Sequence, residues 1–323
     1  INQSGSMIRL NAQLFNSGTR DAIRSFQIDG TAENILNLID TLSLKVKNFL
    51  IISKLKKELH ADYQKGSTTN SPEAFRYFLY GNNAFFKKMD YPSAINFYTR
   101  ALTIDSNFLS ALTMLATTYY NQGQYDQAKI WCLKGCKIDQ LPIIRNIHMY
   151  WLHAMLFETP AEEIKYLNQL LEIDDQSPAG YYELGRIYVS LAQYDKAIPV
   201  MIKALEIYKK WGSKPRWVQD YIMLGYAYQE TKMYGKEKKL FKKAAKDFPD
   251  DPELLYRRAV LALSLEDSKD AERLIEKFVS ASIGNFASEA DIAWSLGYIY
   301  WDADLPDEDE AKFRESLSLE PGN

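Results

Sequence analysis

Along most of the chain, small and apolar residues recur at helical spacing, interrupted at short intervals by polar breaks. The pattern is clearest between Pro178 and Trp211. Tyr181, Leu184, Gly185 and Tyr188 share one face of a first segment, and Ala192-Gln193-Tyr194-Asp195 breaks the pattern. Ala197, Met201, Ala204, Leu205 and Ile207 then share one face of a second segment. This spacing predicts two amphipathic helices joined by a short turn. Gly185 and Ala197 are expected at the crossing, because only small side chains let two helices approach that closely. A single hairpin leaves apolar surface uncovered, so it needs neighbours of the same kind.

The first fifty residues follow another period. Ile8, Leu10, Ala12 and Leu14 alternate with Arg9, Asn11 and Gln13, as in a strand with one buried face. Asn16-Ser17-Gly18-Thr19-Arg20-Asp21 is turn chemistry, and Ala22 to Ile28 predicts the returning strand, ended by Gly30. Thr31 is the expected N-cap of a helix carrying Ile35, Leu38, Ile39, Leu42, Val46, Phe49 and Leu50 at helical spacing. Residues 1–52 therefore predict a small β-β-α fragment of an α/β domain. It is too small to be stable alone and is expected to continue a domain that begins upstream of Ile1. Residues 53–70 read as a lysine-rich helical extension to about Gln64 and a linker, Gly66-Ser67-Thr68-Thr69-Asn70. Ser71-Pro72 opens the hairpin region, 71–323, with a capping serine and a proline at the first helical position; Ser177-Pro178 and Asp251-Pro252 repeat the device.

The hairpins repeat. Ala94 and Ala128 lie 34 residues apart, Leu224-Gly225-x-x-Tyr228 and Leu296-Gly297-x-x-Tyr300 echo Leu184-Gly185-x-x-Tyr188, and Phe241 pairs with Phe313 and Pro249 with Pro321. With that period and pattern the chain resembles the tetratricopeptide repeat (TPR) family. About seven units start near Phe75, Leu109, Ile144, Pro178, Val218, Pro252 and Ala290. The resemblance implies a mainly α fold, a right-handed α-solenoid of TPR helix hairpins. The third unit lacks the Leu-Gly pair and is broken at Thr159-Pro160, and Gly212-Ser213-Lys214-Pro215 is an inserted loop. The seventh unit has no polar capping helix, so the chain is expected to continue or to self-associate there. The N-terminal piece, in Ile8–Leu14, Ser25–Gly30 and the Ile35–Leu50 helix, resembles the end of the TolB-like α/β domain that precedes such arrays in bacterial regulators and cyclase-like proteins. That likeness implies a bacterial source and a multidomain parent, and brings no active-site residue.

Composition narrows the functions. With 323 residues, 46% of them hydrophobic, the chain can bury a large core, and a net charge of −3 predicts no general affinity for nucleic acid. No apolar run reaches the roughly 18 residues of a membrane span. Cys132 and Cys136, four apart on a helix, are too far apart for a disulfide and read as two small buried side chains in a reducing, cytoplasmic setting. His60, His148 and His153 do not form a metal pair, and no phosphate loop or nucleophile elbow appears, so neither an enzyme nor a cofactor or metal is expected. Lys239, Lys242, Lys243 and Lys246 share one helix face, read as solvated or as a dock for an acidic partner or anionic lipid.

In the family, the first helix of each unit lines a binding surface. Carried onto this sequence, those positions include Asn83 and Phe86 in the first unit and Thr113, Thr117 and Tyr120 in the second. Later units give Tyr182, Arg186, Tyr226, Gln229, Tyr256, Trp294, Tyr298 and Trp301. Aromatic anchors with a basic residue suit an extended peptide, with Arg186 meeting a carboxylate. The family's carboxylate clamp is not expected: Asn83 matches one position, but Leu79, Met114 and Met149 stand where polar or basic residues would be needed. The reading is a non-enzymatic scaffold with a protein or peptide partner; the runner-up is the regulatory half of a bacterial signalling or transcription regulator with its output domain upstream.

Overall fold

The computed structural model describes residues 2–4, 6–58, 69–138, 143–284 and 288–320. Its contacts divide the chain into two compact units, Ile1–Glu158 and Thr159–Asn323.

The first unit opens with an antiparallel sheet of order β1-β2-β3: β1 (Asn2–Ser4), β2 (Met7–Phe15) and β3 (Ala22–Thr31). The three-residue β1 carries too little pattern to be read from sequence. β2 alternates as expected: Ile8 and Leu10 are buried, while Arg9 points outward and forks onto Asp29 at 2.7 and 2.9 Å. In the turn, Asn16 Oδ1 accepts from the Gly18 amide at 2.8 Å, and Arg20 takes a left-handed φ of 63°. Gly30 does not end β3. It lies inside the strand, where a Cβ would come within 2.6 Å of Leu38 and only glycine fits. Nor does Thr31 cap the long helix: a 3-10 turn, Ala32–Asn34, intervenes, and α1 runs Ile35–Leu55. Phe26 meets Phe49 edge-on at 5.5 Å, seating α1 on the sheet. The expected linker and helical extension beyond Glu58 lie outside the described residues up to Thr68, as does His60.

The rest of this unit is α2 (Pro72–Asn83), α3 (Tyr91–Ile104), α4 (Leu109–Asn121), α5 (Tyr125–Cys136) and α6 (Ile143–Phe157). The second unit holds α7 (Pro160–Ile173), α8 (Pro178–Ser190), α9 (Tyr194–Lys210), α10 (Gln219–Glu230) and α11 (Tyr234–Asp247). It ends with α12 (Pro252–Ser264), α13 (Ser268–Gly284), α14 (Glu289–Asp302) and α15 (Pro306–Leu319). Within each unit the helices pair in chain order, α2 with α3, α4 with α5, α8 with α9, α10 with α11, α12 with α13 and α14 with α15. The expected starts fall at or near the first helices, and α6 closes the first unit while α7 opens the second.

The capping device works as read. Ser71, Ser177 and Asp251 side chains accept from Ala74, Gly180 and Leu254 amides at 3.2, 3.2 and 3.1 Å. Thr159-Pro160, read as a break, starts α7 in the same way, with Thr159 Oγ1 accepting from Glu162.

The crossing contact is also repeated, with one change of partner. Gly185 faces Met201 rather than Ala197: a Cβ on Gly185 would lie 2.5 Å from Met201 Cγ, while Ala197 is wholly buried nearby. Gly81 faces Tyr98, Gly225 faces Phe241 and Gly297 faces Phe313 in the same way. In the first hairpin the spacing from Gly81 to Ala94 is one residue longer than from Gly185 to Ala197. A π-helical turn, Ala84–Lys88, absorbs the extra residue and ends at Met89 with φ 52°.

Five of the turns between first and second helix contain one left-handed residue each: Gly123, Ala192, Lys232, Glu266 and Asp304. Only the first is a glycine, and a left-handed conformation costs other L-residues about 1–2 kcal/mol. Glu266→Gly, at an exposed turn, is therefore expected to stabilise the chain by about 0.5–1 kcal/mol, the gain being reduced by glycine's extra unfolded-state entropy. An unchanged or lowered denaturation midpoint would show that the turn is not strained.

Candidate functional site

The first helices of the second unit, α8, α10, α12 and α14, present the residues that the sequence nominates. Side-chain bonds tie the last three together. Gln229 Nε2 donates to Ser264 Oγ at 2.9 Å, and Gln219 Nε2 donates to Glu253. Tyr256 Oη and Arg257 Nη1 both donate to Asp302 Oδ2, at 2.9 and 2.8 Å. The Arg257 guanidinium also lies over the Tyr226 and Tyr256 rings, 5.3 and 5.1 Å from their centroids. Tyr226 and Tyr256 are half-buried in this arrangement, and burial pushes the Tyr256 phenol well above its ordinary pKa.

On α14 the rings are more open. Trp294, Tyr298 and Trp301 are 45%, 44% and 64% exposed. Trp294 and Tyr298 stand edge-on to one another at 5.6 Å, and both rest on Phe313 of α15, at 4.9 and 5.4 Å. Phe313 also fills the space left by Gly297, so the hairpin crossing fixes the platform from beneath.

Two expected anchors are otherwise engaged. Tyr182 is 5% exposed, with Trp217 edge-on to its ring at 5.4 Å and the Arg216 guanidinium 5.8 Å from its centroid. The loop after α9 carries both, so Tyr182 is part of the packing rather than of an open wall. Arg186 is not free to receive a ligand carboxylate either. It bonds Glu183 at 2.8 Å and reaches Glu163 of α7 at 3.4 Å. Glu163 is 9% exposed, and burial raises its pKa; Arg186 is the counter-charge it needs.

Glu163 belongs to a pattern the sequence reading missed. At the start of second helices, where Ala128, Ala197 and Ala271 are buried, the third, fifth and seventh hairpins carry Glu163, Glu237 and Asp309, all buried. Glu163 lies 34 residues before Ala197, one step of the repeat, but the step alone does not say that its carboxylate is buried. Glu237, 2% exposed, is the extreme case: one carboxylate oxygen has no hydrogen-bond partner among the described residues, and burial, opposed in part by Arg257, pushes its pKa up to about 8.

In the first unit the nominated positions are dispersed in character. Asn83 is exposed; its neighbour Asn82 is the buried one, accepting from Tyr98 Oη at 2.8 Å. Thr113 donates to the Leu109 carbonyl at 3.0 Å, Thr117 is half-buried, and Tyr120 packs edge-on to Tyr125 at 5.4 Å. Met114 and Met149 are buried in the core. Cys132 is buried as expected but Cys136 is exposed, because α5 ends there; both are free thiols. Cys136 is drawn down to about pH 7 by a hydrogen bond from Cys132, against burial and with help from His153. His153 stacks on Phe157 at 4.6 Å with Nδ1 2.8 Å from Glu158, and His148 meets Trp151 edge-on at 5.2 Å. Among the described residues no group of three or more His, Cys, Asp or Glu is placed to hold a metal ion, and no helix is long and apolar enough to cross a membrane.

Residues 86–135 and residues 178–210 each match the tetratricopeptide repeat. The TPR repeat-containing protein YpiA of Bacillus subtilis (strain 168) is 24% identical over 190 residues, 58% of this chain and 43% of that protein. The Hsp70-Hsp90 organizing protein of Triticum aestivum is 41% identical over 54 residues, 17% of this chain and 9% of that protein. The chain thus spans less than half the length of either curated relative. Among solved structures, the Cut9-Hcn1 hetero-tetramer of APC/C shares the fold, with a TM-score of 0.55 at 13% identity over 84% of this chain and 49% of that one. One matched segment lies in each of the two units, so residues 86–135 and 178–210 are tetratricopeptide repeats, and the same glycine-centred hairpin packing recurs around them.

Proposed function

We propose that the chain is a non-enzymatic protein-interaction scaffold, and that the first-helix face of the Thr159–Asn323 unit holds an extended polypeptide segment. The observation that carries this reading is the platform of Trp294 and Tyr298, large rings left nearly half exposed yet fixed against Phe313. Exposed aromatics held in place lose little freedom on binding and gain much buried area. Beside them, Tyr226, Tyr256 and the Arg257–Asp302 pair supply a polar and aromatic continuation for backbone or side-chain hydrogen bonds. The partner segment therefore carries apolar or aromatic anchors. The Triticum aestivum relative, named as an organizer of Hsp70 and Hsp90, fits a scaffold role.

The test uses the full chain as bait to recover a partner, then measures affinity. Trp294→Ala with Tyr298→Ala is expected to weaken binding by at least about 2 kcal/mol, roughly thirtyfold, with helical content unchanged. Replacing Lys239, Lys242 and Lys243 by Gln should mainly flatten the salt dependence, since exposed charges contribute about 0–1 kcal/mol each. If the lysine variant abolishes binding and the aromatic variant does not, the site lies on the lysine face of α11 instead.

A further inference from the structure

The lysine face of α11 borders a pocket that shares no residue with the first-helix face. It lies between α11, α12 and α13, with a volume of about 250 Å³. Its floor is apolar: Phe241, Leu261, Ala262 and Leu274 are each at most 5% exposed. Its rim is charged, and the charges are not equally available. Of the two acids, Asp267 accepts from the Asp270 amide at the start of α13, and Asp270 pairs with Arg273. The three cations, Lys238, Lys242 and Arg258, form no ion pair among the described residues.

Arg258 is the informative one. It is half-buried, and burial pulls its pKa down, with Asp270 restoring only part of the loss. A guanidinium desolvated without a bonded counter-ion is costly, and a carboxylate brought to it would form a charge-assisted, bidentate hydrogen bond. Lys238 and Lys242, one turn apart on α11, add positive charge at the opposite lip. The floor sets the other half of the ligand. A cavity of about 150 Å³ lined by Leu, Ile and Phe accepts benzene, and drug-sized ligands need about 300 Å³ or more. The pocket here falls between those limits, so it suits a ring or a short alkyl chain carrying one acidic head.

We propose that this pocket binds a small amphipathic carboxylate, its apolar body on Phe241, Leu261 and Leu274 and its carboxylate held by Arg258 with Lys238 and Lys242. The head requires the cations and the body requires the floor, so neither an inorganic anion nor an uncharged hydrocarbon satisfies both. None of its lining residues, on α11, α12, α13 and the turn at Leu265, belongs to the α14 platform, so binding here survives loss of the platform.

Titration of the full chain with sodium hexanoate and sodium phenylacetate, followed through the methyl resonances of Leu261, Leu265 and Leu274, tests the assignment. Hexanol and benzyl alcohol serve as uncharged controls. The carboxylates are expected to bind at least about tenfold tighter than the matching alcohols, the worth of one charge-assisted hydrogen bond. Arg258→Gln should remove that advantage while leaving alcohol binding unchanged. Lys238→Gln with Lys242→Gln, two exposed positions that leave the fold intact, should lower carboxylate affinity several-fold and reduce its dependence on salt. Equal affinity for acid and alcohol, retention of the preference in Arg258→Gln, or the absence of shifts at these three leucines at millimolar carboxylate would each overturn the proposal.

Discussion

Gly225→Ala is expected to destabilise the protein by about 2 kcal/mol, although alanine is the better helix former by about 1 kcal/mol. The reason is the crossing. A Cβ on Gly225 would sit 2.2 Å from Phe241 Cζ and 2.4 Å from Cε1, and Phe241 is 1% exposed and cannot swing away. Either the ring leaves its rotamer or α10 and α11 move apart, and both forfeit packing over the cluster that also holds Tyr221, Leu224 and Ala244. Ten residues along, Gly235 supplies the control. A Cβ there meets no described residue within 4 Å, so Gly235→Ala should show the helix-propensity gain alone, about 0.5–1 kcal/mol of stabilisation. Adding Phe241→Leu to Gly225→Ala should recover at least about 1 kcal/mol relative to the sum of the single effects. Urea denaturation of the four variants gives the cycle. Additive effects would show that the glycine is not there for the ring.

This crossing explains why so much of the fold was legible. A repeat whose helices meet at a glycine facing Met201, Phe241 or Phe313 must place that glycine and that large side chain at constant separation, and the separation survives in the sequence. Caps are legible for the same kind of reason: Ser71, Ser177 and Asp251 act on amides three residues away, within one turn. What was not legible depends on segments without period. β1 is three residues long, and the π-turn at Ala84–Lys88 leaves only a one-residue offset as its trace. The site suffered most. Tyr182 occupies a surface-lining position of its repeat, but an irregular loop brings Trp217 against it. Arg186 looks like a ligand-facing cation until Glu163, from the preceding hairpin, is seen to need it. By contrast Trp294 and Tyr298 keep the exposure their positions imply, because Phe313 supports them from within their own hairpin.

Stability should fall as pH rises from about 4.5 to about 8, and Glu237 is the expected main source. Its carboxyl stands where Ala197 and Ala271 stand in the neighbouring hairpins, and the same packing that suits a methyl group strips it of water. Arg257 lies close enough to oppose the shift but spends its Nη1 on Asp302, so the compensation is incomplete. The sign follows from the two states. Unfolded, Glu237 titrates near the ordinary 4.5; folded, near about 8. Between those values the folded protein holds a proton that the unfolded chain has released, so each step up in pH favours unfolding. Below the unfolded pKa the penalty is absent; above about 8 it is complete, on the order of 3–5 kcal/mol from the shift alone. Glu237→Ala should therefore be neutral or slightly destabilising at pH 5, where the side chain's methylenes still pack, and stabilising by several kcal/mol at pH 8.5. With about 2–4 °C per kcal/mol for a chain of this size or smaller, the two melting curves cross as pH rises, and the variant melts roughly 5–10 °C higher at pH 8.5. Glu237→Gln, which keeps the volume, should flatten the pH profile in the same way without the loss at pH 5. Parallel pH profiles for wild type and both variants would place the titration elsewhere.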